Sequence, residues 1–188
     1  VKKFLVWAIF VSILSLPLMA QEKVDIFGGY QYSHFGGITE DGSTSNGQGF
    51  NGWDGSAIFN FNKHLGVAAD FGGGYATISG VSSHVYTYTG GPVLSLDAGG
   101  RINPFVHALF GGTRLSASAD GVSEGRNGFT TMFGGGVDVK ANRVIAVRLI
   151  QVDWLYYHFG STTIDGESVP SVGQSNNVRI ATGIVFRF

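Results

Sequence analysis

The chain has 188 residues, enough for one domain with a real core or one small barrel, and its formal charge of −1 gives no reason to expect nucleic acid or a polybasic membrane patch. It has no cysteine, which excludes a disulfide framework, a thiolate metal site and a thiol nucleophile. Its 30 glycines follow no G-x-y period, so it is not collagen, and a 44% hydrophobic share is too high for a disordered chain.

Lys2 and Lys3 precede an almost wholly apolar run from Phe4 to Leu18, broken only by Ser12, Ser15 and Pro17, and Leu18-Met19-Ala20 ends on a small residue. A positive start, a short apolar run and a small residue at the cut form the pattern of a cleaved secretory signal. The run is shorter than a spanning helix needs, although an uncleaved anchor helix is the alternative. The expected division is a signal peptide over 1–20 and one domain over 21–188. Nothing downstream approaches the ~20 apolar residues of a spanning helix. If the mature part crosses a membrane, it must do so as a closed barrel, because only closure satisfies every backbone polar group in lipid.

From Val24 onward, segments of about ten residues rich in Val, Ile, Phe, Tyr, Thr and Gly alternate with polar connections. They predict eight strands, over 24–35, 50–61, 65–77, 84–96, 104–117, 128–140, 144–159 and 177–188. Gly36–Gly49, Ile78–Ser83, Ser118–Asn127 and Gly160–Asn176 read as long loops. Asn62-Lys63-His64, Asp97–Asn103 and Ala141-Asn142-Arg143 read as short turns. An even strand count with long and short connections in alternation is the pattern of a transmembrane barrel, loops outside and turns in the periplasm.

The faces agree. In the last strand Val178, Ile180, Ile184, Phe186 and Phe188 share one parity, with Arg179, Ala181, Gly183 and Arg187 on the other. Trp53, Ala57, Phe59 and Phe61 oppose Asp54, Ser56 and Asn60; Val67, Ala69, Phe71 and Tyr75 oppose Asp70 and several glycines. This fits a lipid-facing wall around a narrow polar lumen, whereas a soluble calyx would have the faces reversed. Aromatic placement favours the first. The seven tyrosines (30, 32, 75, 86, 88, 156, 157) fall toward the loop end with Trp53 and Trp154. Phe27, Phe59, Phe61, Phe105, Phe186 and Phe188 fall toward the turn end, so that two interfacial girdles are expected. In strand 7, Arg148 and Asp153 have opposite parity, which calls for a bulge or a rim position.

With Phe27-Gly28-Gly29-Tyr30, Pro104-Phe105-Val106-His107, Gly134-Gly135-Gly136-Val137-Asp138 and the ending Ile184-Val185-Phe186-Arg187-Phe188, the sequence resembles the small outer-membrane β-barrels of the OmpA and opacity type over essentially all of 21–188. The resemblance implies an all-β fold, an eight-stranded antiparallel up-and-down transmembrane β-barrel after a cleaved signal peptide, in a bacterial outer membrane. It implies contact with outer-membrane lipid, and it makes Phe186 and Phe188 look like the signal read by the barrel assembly machinery. Larger members continue into a peptidoglycan-binding domain, and no such segment follows Phe188 in this sequence.

The expected lumen set is Asp25, Asp54, Asp70, Asp138 and His107 with Arg148, Arg179 and Arg187. It reads as a salt-bridge network that plugs the interior, because about eight strands leave room for side chains and little else. A small channel is the alternative. The glycine runs read as strand bends and close passages, since none precedes a helix and no GK[ST] follows. No catalytic, cofactor or metal site is expected. His34, His107 and His158 lack a matched nucleophile, the spacing from His158 to Ser161 differs from the His-x-Ser pair of barrel lipid A deacylases, and Ser83-His84 has no orienting acid. Glu40, Asp41, Asp120, Glu124, Asp165 and Glu167 give the loops an acidic surface opposed only by Arg126, whereas the turns carry Lys63, Arg101, Lys140 and Arg143. Such a surface suits divalent cations or a basic partner. The functional expectation is a monomeric, non-enzymatic barrel serving envelope structure or surface interaction through its loops, with a channel second and a lipid-modifying enzyme third.

Overall fold

The computed structural model describes residues 24–36, 39–40, 43–44, 47–78, 81–96, 100–119, 122–160, 162–164, 167–169 and 172–188. The expected signal peptide over 1–20 lies outside the described residues. Eight strands form a closed barrel: β1 (Val24–Phe35), β2 (Gln48–Asn60), β3 (Leu65–Ile78), β4 (Val81–Ser95), β5 (Ile102–Ala119), β6 (Val122–Lys140), β7 (Ile145–Phe159) and β8 (Val172–Arg187). Each strand pairs antiparallel with its sequence neighbour. The seam between β1 and β8 runs from Asp25 opposite Arg187 to Phe35 opposite Asn177. Short two-stranded hairpins, Thr39–Glu40 with Ser43–Thr44 and Thr162–Ile164 with Glu167–Val169, ride on the connections after β1 and β7.

Two of the turns share one device. Asn62 Oδ1 accepts from the amides of His64 and Leu65, both at 2.9 Å. Asn142 Oδ1 accepts from the amides of Val144 and Ile145 at 2.8 and 2.7 Å. In each case the asparagine side chain satisfies the two amides that a tight reversal leaves without ladder partners.

The strands are longer than the sequence pattern suggests. The ladder of β3 and β4 runs to Ile78 opposite Val81, and that of β5 and β6 to Ala119 opposite Val122. The expected loops over Ile78–Ser83 and Ser118–Asn127 are therefore mostly strand. At the loop end β8 likewise starts at Val172 rather than at 177. At 18 and 19 residues, β5 and β6 exceed the ~9–11 that cross a bilayer. Beyond the lipid a strand needs no apolar face, so the alternation fades from the sequence while the hydrogen bonds continue.

Alternation holds through the wall. Ile26, Val67, Phe71, Phe110, Phe133, Val152, Ile180 and Ile184 are exposed on the outside, and Asp54, Asp70, His107 and Arg179 are buried inside. A water-soluble calyx would have to solvate this apolar belt. In β7 the alternation breaks once, where Leu149 and Ile150 are both exposed. The register shifts at the same place on both sides of the strand: Asp138 faces Arg148 while Val137 faces Ile150, and Gly183 faces Arg148 while Ala181 faces Gln151. This is a β-bulge, and it turns Arg148 and Asp153 to the same side. Thr182 Oγ1 donates to the Arg148 carbonyl at 2.9 Å beside it.

Several glycines lie under aromatic rings from the neighbouring strand. Trp53 covers its partner Gly73, Tyr88 covers Gly112 and Phe105 covers Gly136; a Cβ at Gly112 would meet the Tyr88 ring at 2.3 Å. Two of these pairs are on the lipid face, so the glycines serve the outer wall as well as the lumen.

The face assignment has a direct consequence. Val152→Arg or Ile180→Arg should cost about 2–4 kcal/mol in urea unfolding from liposomes, the penalty for a cation on the lipid face near the midplane. Unchanged stability would mean that this face meets water.

Candidate functional site

The lumen is filled by charged and aromatic side chains in successive levels. At the turn end, Arg187 Nε lies 3.9 Å from Asp25 Oδ1 and its Nη2 3.7 Å from Asp138 Oδ2, while Asn60 Nδ2 donates to Asp25 Oδ2 at 3.3 Å. One level in, Arg148 grips Asp138 with two bonds, Nε to Oδ1 at 2.8 Å and Nη2 to Oδ2 at 3.2 Å. Its guanidinium carbon is 4.3 Å from the ring centroids of both Phe27 and Phe105. A cation between two ring faces is electrostatically favourable, and the rings keep water from the ion pair.

At mid-barrel, Arg148 Nη1 donates to Gln151 Oε1 at 2.6 Å, and Gln151 Nε2 donates to Asp153 Oδ2 at 2.8 Å. Asp153 also accepts from Arg179 Nε at 2.8 Å and bonds His107 Nε2 through Oδ1 at 2.8 Å. Arg179 reaches Asp70 with two bonds at 2.9 and 3.2 Å and Asp54 at 3.4 Å. The contact of His107 with Asp153 spans two strand intervals. Gly134 stands between them in the row His107–Gly134–Asp153, where a Cβ would fall 2.0 Å from Asp153 Oδ1. Toward the loops an aromatic roof follows: Phe35 stacks on Tyr157 at 5.1 Å and meets Phe50 edge-on at 4.9 Å, and Tyr157 stacks on Phe159 at 6.3 Å.

All eight lumen residues singled out in the sequence face inward. Asp25, Asp138, Arg148 and Arg187 form one group and Asp54, Asp70, His107 and Arg179 another, joined through Gln151 and Asp153. Sequence reasoning left Asp153 undecided and missed Gln151; the bulge that brings both inside could be found only from the parity conflict between two charges. Phe27, Phe105 and Tyr157, assigned to the girdles, are buried at 3%, 4% and 1% exposure and belong to the plug. Position along the strand suggested an interface, but their parity is that of the lumen.

Phe186 and Phe188 are exposed on the outer face at the turn end. Phe188 and Val24 exchange backbone hydrogen bonds, at 2.9 and 3.1 Å, which extend the closing seam to its last residue. At the loop end, Arg126 lies over the Phe159 ring and donates to the Gly160 carbonyl, and Arg114 is a second, exposed cation there. Asp41, Asp120 and Asp165 lie outside the described residues, as do the side chains of Glu40, Glu124 and Glu167.

Residues 6–188 match the family model described as the outer membrane protein beta-barrel domain. The chain belongs to that family. A comparison with curated proteins returned no match. Among solved structures, the fold is similar to neisserial surface protein A, at TM-score 0.66 and 12% identity over 88% of this chain and 97% of that one. It is also similar to Ail, the attachment invasion locus protein of Yersinia pestis, at TM-score 0.57 and 20% identity over 89% and 100%. The N-terminal β-barrel domain of Pseudomonas aeruginosa OprF gives TM-score 0.57 and 12% identity over 89% and 98%. At these identities the likeness is one of fold. Family membership puts the barrel in a bacterial outer membrane and makes the exposed apolar belt its lipid contact.

Buried pairs in such a lumen are sensitive to which partner is removed. Arg148→Leu should cost about 3–5 kcal/mol in urea unfolding from liposomes, because Asp138 keeps only the longer Arg187 contact, and adding Asp138→Asn should recover much of the loss. Independent, additive effects of the two changes would show that the pair is not a buried unit.

Proposed function

We propose that this outer-membrane barrel is a non-enzymatic, non-conducting scaffold that presents its loops to partners outside the cell. The observation that carries the reading is the double closure of the lumen: Arg148 clamped between Phe27 and Phe105 on one side, the Phe35, Phe50, Tyr157 and Phe159 roof on the other, and a continuous ion-pair network between. Moving an ion through this lumen means breaking buried pairs, each expensive to separate. The charged groups are engaged with one another, and His107 is held by Asp153 with no nucleophile in the bond, so the reading assigns no catalysis to the lumen.

What remains for interaction is the loop surface. The Yersinia pestis protein of similar fold is an attachment invasion locus protein by name, and one of its structures is a complex with the heparin analogue sucrose octasulfate. The loops here carry mainly acidic residues, so a basic protein surface or divalent cations suit them better than a sulfated sugar. Residues 1–20 would serve as the export signal, and the Phe186 and Phe188 pair as the feature recognised during insertion.

The test is electrical. In a planar bilayer the purified protein should give no discrete conductance steps. Stable, ion-selective steps from the unmodified protein would make it a channel and overturn the scaffold reading.

A further inference from the structure

A net charge of −1 conceals how the charges are sorted along the barrel axis. Lys63, Arg101 and Arg143 stand exposed on the three turns, and Lys140 flanks the last of them. With Lys23 they place five cations at the turn end against Glu22 and Asp97, while Asp25 and Arg187 face each other inside the mouth. The loop end carries the opposite balance, six acids against Arg114 and Arg126.

Backbone bonds stitch the turns into one rim. The amide of Ser95 donates to the His64 carbonyl, that of Lys140 to the Arg101 carbonyl and that of Arg187 to the Val144 carbonyl, each at 2.8 Å. The cations are therefore carried on a ring of fixed height. Around them sit the four most exposed large apolar side chains among the described residues, Phe188, Leu96, Ile102 and Phe61, at 64%, 61%, 60% and 59% exposure. Ile102 follows Arg101, Val144 follows Arg143, and Phe61 lies two residues before Lys63. Apolar surface this open suits hydrocarbon, which sets each cation at the level where acyl chains give way to headgroups. The loop-end interface uses other chemistry. Tyr30, Trp53, Tyr75 and Tyr88 are exposed there, and Trp53 Nε1 donates to the Tyr75 hydroxyl at 3.2 Å. Neutral hydroxyl and indole groups serve one interface, phenylalanines with lysine and arginine the other.

We propose that the turn rim binds the headgroups of anionic phospholipids in the periplasmic leaflet, through the ammonium of Lys63 and the guanidiniums of Arg101 and Arg143. Phe61, Leu96 and Ile102 hold the acyl chains beneath them. A cation within a Debye length of an anionic leaflet is drawn to it, and the long stems of lysine and arginine span the step from apolar wall to headgroup. A zwitterionic headgroup presents the same phosphate with its charge cancelled, so net negative charge is the property selected. The same lipids repel the acidic loops, so the two ends of the barrel prefer different leaflets.

The test is electron spin resonance of the folded full barrel in phosphatidylcholine bilayers that carry a trace of lipid spin-labelled on its acyl chain. At about 10 mM salt, labelled phosphatidylglycerol should associate with the barrel wall about threefold more strongly than labelled phosphatidylcholine, and at about 1 M salt the preference should vanish. Combining Lys63→Gln, Arg101→Gln and Arg143→Gln should abolish it, while combining Lys63→Arg, Arg101→Lys and Arg143→Lys should keep it. Arg114→Gln should leave it unchanged. Equal association of the two lipids with the unmodified barrel would overturn the proposal and leave the rim to a soluble acidic partner. A preference that survives the three glutamines would overturn it too, as would one lost in the charge-keeping variant. Loss in Arg114→Gln would move the site to the loop end and overturn it as well.

Discussion

Arg179 joins carboxylates from three strands, Asp54 on β2, Asp70 on β3 and Asp153 on β7, while standing on β8. Its bond to Asp153 joins adjacent strands, but those to Asp54 and Asp70 cross the lumen and exist only once the barrel has closed. The interior is narrow enough for one guanidinium to reach across it, which is the geometry expected of about eight strands. Lipid outside compels closure, and closure traps charges that must find one another. The remaining features follow from that constraint. Arg148, excluded from water by Phe27 and Phe105, repeats the solution nearer the turns, and Gln151 links the two centres.

Such a network is weak evidence for stability. Desolvating several ions costs as much as their pairing returns, and an apolar plug of the same volume could hold the barrel as well. What the ions supply is register. A one-residue slip of any strand would turn its lumen charges into lipid, so the pattern penalises every wrong pairing. The bulge at Leu149 and Ile150 belongs to the same logic, because without it either Arg148 or Asp153 would face the bilayer.

Much of this was legible in the sequence, since the bilayer writes a period of two into every spanning strand. The strand count, the up-and-down topology and the faces of Trp53, Asp54, Phe71, Arg179 and Ile184 all follow from that period. Strand ends did not, because the extensions of β5 and β6 beyond the lipid carry no apolar alternation. The aromatic plug was misassigned for a related reason. Phe27 and Phe105 are as apolar as any lipid-facing residue, and only the guanidinium between them explains their place inside. The contact across Gly134 was beyond reach, because it depends on three strands in register at once, which no single strand records.

The central claim is that the lumen is closed and dry around its ion pairs. It is tested most directly by hydrogen exchange at the Nε–H groups of Arg148 and Arg179, followed by NMR in lipid nanodiscs. The account predicts separate, persistent signals for these two protons, exchanging orders of magnitude more slowly than that of exposed Arg114. Exchange of all three at the same rate would mean that water runs through the barrel, and the closed lumen would be wrong.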